Sequence, residues 1–242
     1  MSEIEHGYTL YYWSSIPGRG EFVRLALEEA GAPYVDVART PEGDEAVARV
    51  LAGELGGLRP FAPPVLVHGR VVVAQTAAIL HYLAPRHGLV PDDASVALAA
   101  LQLQLTIADL VAEVHDTHHP IAVSLYYSEQ EREAKRRASF FVRERAPKFL
   151  QYFEAVAEQN DGHLAGGPFT YVDLSMMHVL DGLAYAFPKG FAVWSRSTPR
   201  LLALRDRVRA RPRIAAYLAS KRRIPFNEDG IFRRYPELDA PA

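Results

Sequence analysis

Residues 59–81 read Arg-Pro-Phe-Ala-Pro-Pro-Val-Leu-Val-His-Gly-Arg-Val-Val-Val-Ala-Gln-Thr-Ala-Ala-Ile-Leu-His, and three signals follow one another there. The Pro63-Pro64 pair fixes φ and removes two donors, so the chain is extended and no central strand starts before Val65. Val65-Leu66-Val67 and Arg70-Val71-Val72-Val73-Ala74 flank a turn at His68-Gly69, the pattern of a β-hairpin. Gln75-Thr76 then opens an apolar-periodic segment, with Ala78, Ile79, Tyr82 and Leu83 on one face and Thr76 as helix cap. A polar pair at a helix N-terminus suits an anion, because the first-turn N–H groups are unpaired and the dipole is positive there. An ordinary capped strand–helix junction has the same local sequence. The rest of the chain chooses between them.

Upstream, the aromatic run Tyr8-Thr9-Leu10-Tyr11-Tyr12-Trp13 predicts a first strand, with Leu10 and Tyr12 on one face and Thr9 and Tyr11 on the other. Ser14 to Gly18 form a turn, since Pro17 and Gly18 both oppose a continuing strand. Phe22, Leu25-Ala26 and Glu29 fall at helical spacing from Arg19, and Gly31 closes that helix. Tyr34–Val37 is a short strand, and 41–57 a weak, Gly-interrupted helix. The predicted order is β-α-β-α-β-β-α over about 85 residues, one small domain of helices around a mixed sheet. The Pro, Gly and charge of 84–93 mark a boundary, giving domains 1–86 and 94–242.

Downstream of the boundary the periodicity is helical alone, over 95–115, 130–159, from near 170, and over 198–222 with a break at Arg211-Pro212. Within Gly167-Pro168-Phe169-Thr170-Tyr171-Val172-Asp173-Leu174, Thr170 and Asp173 are spaced as a capping box, and Phe169 can staple onto Leu174. That signal concerns folding.

Charge nearly cancels, 27 Lys and Arg against 29 Asp and Glu, and gives no basic stripe for nucleic acid. The opening residues are acidic and unlike a secretory signal, and no run approaches 18 consecutive apolar residues, so no membrane span is expected. Without cysteine there is no disulfide framework, no thiolate nucleophile and no Cys-based redox chemistry. The expectation is a cytoplasmic protein.

Taken together, Tyr12 with Gly18-Arg19-Gly20-Glu21, Pro64-Val65-Leu66, Gln75-Thr76-Ala77-Ala78-Ile79-Leu80 and Thr170–Asp173 resemble the cytosolic glutathione S-transferases over nearly the whole chain. The first strand is most similar to the tyrosine-type classes (alpha, pi, mu, sigma). The resemblance implies a thioredoxin-like N-terminal domain that binds glutathione, an all-α C-terminal domain that contributes an electrophile pocket, a homodimer, and detoxification as the role. Glutathione would be a co-substrate, with no resident cofactor. Pro64 would be the cis-proline, and the residue before it would pair its backbone with the cysteinyl part of the tripeptide. That residue is Pro63, which lacks an N–H, so one of two such bonds is lost at a cost of about 1 kcal/mol. Gln75 and Thr76 would take the γ-glutamyl carboxylate. Asp109, 33 residues after Thr76, matches an acidic residue that reaches the γ-glutamyl amine from the partner subunit. Arg19 would contact glutathione or pair with an acid such as Glu21.

The thiolate is the nucleophile such chemistry needs, and a free thiol titrates near pH ~8.5. A tyrosine hydroxyl that donates to the thiolate favours the charged form. Tyr12 is the expected catalytic residue, with Tyr11 and Trp13 pointing into the core. The turn from Tyr12 to Gly18 is one residue longer than the family's usual form, which leaves Ser14 and Ser15 as alternatives. Tyr127 and His119 are expected at the electrophile pocket, near His115, Asp116 and His118. On a continuous helix His115 and His119 would make a metal-ligand pair. Pro120 distorts that helix and no His-Glu-x-x-His order is present, so a polar pocket edge is expected rather than a metal. The segment Ile224-Pro225-Phe226-Asn227 could also cover the pocket. The other reading is a non-catalytic relative that binds glutathione or another ligand, or is structural, because a fold does not fix a function.

Overall fold

A computed structural model describes residues 7–166 and 169–239. The acidic opening residues and Gly167-Pro168 lie outside them. The first half contains β1 (Tyr8–Tyr11), α1 (Gly20–Ala30), β2 (Tyr34–Asp36), α2 (Gly43–Ala52), β3 (Val65–His68), β4 (Val71–Ala74) and α3 (Thr76–Arg86). Its sheet has the order β2-β1-β3-β4, with β1 parallel to β2 and antiparallel to β3. Leu10 stands opposite Leu66, and Val67 opposite Val72 across the hairpin. Gly31 (φ 64°) ends α1 as expected, in the left-handed conformation that costs glycine nothing. The weak helix is α2 alone and stops at Ala52, where Gly53 follows at φ 100°.

Two local readings change. Thr76 is the first residue of α3, and Gln75 precedes it without a side-chain cap. Tyr11 and Trp13 are only half-buried, whereas Tyr12 is the buried member of the run. Beyond the strand end the backbone leaves the sheet, so strict alternation no longer assigns faces.

The helical part contains α4 (Ala94–Asp116), α5 (Glu131–Phe140), α6 (Ala146–Gln159), α7 (Tyr171–Ala186), α8 (Pro188–Trp194), α9 (Pro199–Arg209) and α10 (Pro212–Leu218). Asp93 caps α4 by accepting from the amides of Ser95 and Val96. Five residues of π-helix, Phe141–Arg145, join α5 to α6, so the 130–159 segment is two helices rather than one. Asp173 accepts from Thr170 N at 2.7 Å, Thr170 Oγ1 at 3.1 Å and Leu164 N at 3.2 Å, which fixes the start of α7. α7 is buried almost throughout and packs on α1, α4 and α9. By length and composition α4 could cross a membrane, which a count of consecutive apolar residues misses because Gln102, Gln104 and Thr106 interrupt the run. One side of it packs on α3 and α7, while Leu98 and Leu105 on the other side are exposed.

Residues 224–239 carry little regular structure and yet are anchored. Ile224, Ile231, Phe232 and Leu238 are buried, and Asp239 accepts from the amides of Lys189 and Gly190 at the start of α8. Phe232 lies against Gly182 so closely that an added Cβ would stand 2.4 Å from the ring.

Candidate functional site

The candidate site residues lie on the turn after β1, at the start of α3 and at the end of α4, and the 224–239 segment bonds to the turn at Ser15. Tyr12 is 4% exposed, and its hydroxyl accepts the amide hydrogen of Arg19 at 2.7 Å. Gly18 and Gly20 make this possible. A Cβ on Gly18 would lie 2.1 Å from the Tyr12 hydroxyl, and one on Gly20 2.5 Å from the ring. Gly18 also has φ 45°, where a side chain is strained. Burial pushes the phenol pKa above its ordinary value, against the opposing pull of the Arg19 amide and the Arg19 and Arg24 charges. The hydroxyl therefore keeps its proton at neutral pH and can give it in a hydrogen bond.

Arg24 holds this turn in place. It is fully buried, donates from Nε to Asp36 at 2.8 Å and from a terminal nitrogen to Pro17 O at 3.2 Å, and pairs with Glu21 at 3.6 Å. Glu21 also accepts from the Tyr217 hydroxyl at 3.0 Å and faces Arg223. Glu21 is thus engaged by Arg24, Arg223 and Tyr217 rather than by Arg19. Arg24 was not singled out from the sequence. The only local sign was a charge inside an otherwise apolar helix face.

At the second focus, Gln75 has φ 69° and ψ 121°, a conformation that non-glycine residues rarely hold. Such outliers concentrate at ligand-binding positions. Gln75 is exposed, and the Thr76 hydroxyl beside it is buried without a hydrogen-bond partner among the described residues. The first turn of α3 thus offers free N–H groups and an unused hydroxyl at its positive end. The bond between Pro63 and Pro64, in the loop leading to β3, is cis.

The remaining expected residues are dispersed. Ser14 is tied to α2 through its amide, which donates to Asp44 at 2.8 Å, and Ser15 is exposed. Asp109 is exposed on α4, on the same stripe as Leu98, Gln102 and Leu105. Tyr127 stacks on Tyr235 at 3.9 Å between ring centres and donates to Glu237 at 2.8 Å. It is a fastening point for the C-terminal segment. His119 is buried and faces His118, Nδ1 to Nδ1 at 2.6 Å.

The C-terminal segment closes over the turn. The Asn227 amide donates to Ser15 O at 2.8 Å, and Phe226 stacks on His178 at 5.5 Å. His118 Nε2 donates to Ile231 O at 2.8 Å. Burial pulls the His115 pKa down to about 4, helped by His119, Arg19 and Arg233, and that of His118 to about 3. His119 is lowered as well, by burial and Arg233. All three rings are neutral at pH 7.

Two further observations define the class. A thioredoxin-like sheet with a cis-proline before β3 and a helical bundle stacked on α1 and α3 is the arrangement of the glutathione S-transferase fold. Residues 115–221 match the family model described as glutathione S-transferase, C-terminal domain. Glutathione S-transferase S1 of Drosophila melanogaster is 28% identical over 222 residues, covering 90% of this chain and 80% of that one. Glutathione S-transferase of Plasmodium yoelii yoelii is 24% identical over 208 residues, covering 85% and 90%. The solved structure of prostaglandin synthase D of Nilaparvata lugens superposes with a TM-score of 0.70 at 21% identity, over 90% of this chain and all of that one. The chain is thus similar to glutathione S-transferases over most of its length.

Proposed function

We propose that the protein is a glutathione transferase that activates the thiol of glutathione for attack on a hydrophobic electrophile. The observation that carries this reading is the Tyr12 hydroxyl, which accepts from the Arg19 amide at 2.7 Å and so is left to donate its own proton outward. A hydrogen bond from that phenol to the sulfur favours thiolate over thiol and lowers the thiol pKa. Gln75, Thr76 and the α3 N-terminus receive the γ-glutamyl carboxylate. Pro63 and Pro64 border the cysteinyl part, and Pro63 offers only its carbonyl. Arg19 supports Tyr12 through its amide and faces the ligand with its side chain. Residues 1–86 act as the glutathione domain, and 94–242 supply the electrophile side at His119, with Tyr127 anchoring the segment that borders it. Detoxification and a cytoplasmic location accompany this reading.

Dimerisation belongs to the same reading. Leu98, Leu105 and Asp109 share an exposed stripe on α4, and Phe61 is 94% exposed just before Pro63. A second copy covering this face would remove apolar surface from water and bring Asp109 to the other subunit's γ-glutamyl amine.

Retention on immobilised glutathione, followed by conjugation of chlorodinitrobenzene, tests the proposal. Tyr12→Phe should keep retention, raise the pKa of the bound thiol and lower kcat by roughly 10–1000-fold. Unchanged thiolate absorbance at pH 7 in that variant would remove Tyr12 from the role. Retention by the wild-type protein without turnover would favour the ligand-binding reading, to which the closure of the Tyr12 turn by Asn227 lends support.

A further inference from the structure

At the C-terminal end of α4, His115, His118 and His119 converge, and of the three the reading above uses His119 alone, as part of the pocket edge. One nitrogen from each ring, three in all, lie within 4.8 Å of one another. α4 ends at Asp116, and the following turn, with His118 N bonded to His115 O at 3.2 Å, swings His118 toward the other two. A sequence reading as a continuous helix therefore finds a pair where the fold makes a triad. The ring centroids stand 4.8–5.0 Å apart.

The bonding assigns the lone pairs. A carbonyl can only accept, so His118 carries its proton on Nε2, bonded to Ile231 O at 2.8 Å, and its Nδ1 is bare. A ring nitrogen whose partner N–H is fixed on a backbone carbonyl is the usual outer support of a metal-bound histidine. His118 Nδ1 and His119 Nδ1 face each other at 2.6 Å, a contact that two neutral rings sustain only with one proton between them. An ion would displace that proton and spread the pair to about 3.3 Å, the separation that tetrahedral Zn–N bonds of ~2.0–2.1 Å impose. His115 is half-buried, which leaves an entry path on its side.

We propose that His115, His118 and His119 form a binding site for one borderline transition-metal ion, of the Zn²⁺, Co²⁺ or Ni²⁺ type, with a fourth position open. Three imidazoles and no carboxylate among the three ligands select such ions over Mg²⁺ and Ca²⁺. Arg233 and Arg19 place positive charge close by, so the fourth position takes an anion such as hydroxide or chloride in preference to neutral water. Because His118 is bonded to Ile231, the ion also ties the end of α4 to the C-terminal segment. This site stands whether or not glutathione is the substrate.

The test uses the full chain, free of any histidine tag and stripped with chelator. Titration with Zn²⁺ alone by calorimetry should give one ion per chain, and Co²⁺ should develop the visible bands of a four-coordinate site. His115→Ala and His118→Gln should each weaken binding by more than the roughly 10–100-fold that loss of an outer hydrogen-bond partner costs. His81→Ala, an exposed histidine elsewhere, should leave binding unchanged. X-ray absorption of the Zn²⁺-loaded wild-type protein should show three imidazole nitrogens, a readout that does not depend on the variants folding. No stoichiometric binding, equal affinity in His115→Ala, or a shell of oxygen ligands alone would each overturn the site.

Discussion

The Thr76 hydroxyl has no hydrogen-bond partner among the described residues, and that defect separates a binding role from a structural one. A buried hydroxyl without a partner costs stability, so Thr76→Val should leave the unfolding midpoint unchanged or slightly raised. If the hydroxyl receives the γ-glutamyl carboxylate, the same variant loses a hydrogen bond to a charged group, about 1.5–3 kcal/mol, and KM for glutathione rises about 10–100-fold. Steady-state kinetics beside denaturant melts would distinguish the two. His178 presents a different residue-scale case. It is fully buried between Phe22, Phe226 and Phe232, its Nε2 has no partner among the described residues, and burial with the nearby Arg223 and Arg24 charges lowers its pKa to about 3. The unfolded chain binds this proton near pH ~6.5 and the folded one only near pH 3. Its contribution is therefore complete above about pH 6.5 and is lost progressively as pH falls toward 3. Thermal melts of His178→Leu should show a shallower fall in Tm across that window than the wild-type protein.

At the scale of elements, α7 is the rail along which the two halves and the C-terminal segment are held. Its start is fixed by Asp173 and its middle carries Gly182, against which Phe232 rests. Alanine is the better helix former by about 1 kcal/mol. At Gly182 the new Cβ would meet the body of the Phe232 ring at 2.4 Å, and the ring has no free end to swing aside. Overpacking should outweigh propensity, so Gly182→Ala should cost a net ~1–3 kcal/mol. Limited proteolysis should find new cleavage within 224–239, because Phe232 is the anchor that is lost. α3 carries the opposite lesson. Its sequence shows a capped start, yet Thr76 sits inside the helix and Gln75 in a rare conformation before it. That departure leaves the helix N-terminus open to a ligand.

For the whole molecule, the exposed stripe of α4 is the feature a single chain does not satisfy. Leu98 is 67% exposed and Leu105 52%, with Asp109 one turn further on. Analytical ultracentrifugation should give two chains per particle for the wild-type protein and one for Leu98→Glu/Leu105→Glu. If Asp109 acts across the interface, that monomer should raise KM for glutathione about as much as Asp109→Ala does in the dimer. A monomeric wild-type protein would sink both expectations.

The strand and helix order, the hairpin and the Thr170–Asp173 cap were legible in the sequence because each rests on contacts a few residues apart. Tyr12, Gln75 and Thr76 stood out as candidates for a related reason, since strand ends and helix starts set which polar groups the backbone presents. What escaped the sequence depends on approach between distant segments. His118 reaches Ile231 across 113 residues, Asn227 reaches Ser15 across 212, and Tyr217 reaches Glu21 across 196. Arg24 is an ordinary helix charge until the fold buries it against Asp36 and Pro17. The sequence by itself thus determined most of the elements and suggested a place for an anion. Only the tertiary structure decided that Tyr12 is roofed by Gly18 and Gly20, that three histidines meet, and that the C-terminal segment covers them. Local geometry follows from backbone sterics and hydrogen bonding, whereas these meetings follow from how whole elements bury their apolar faces.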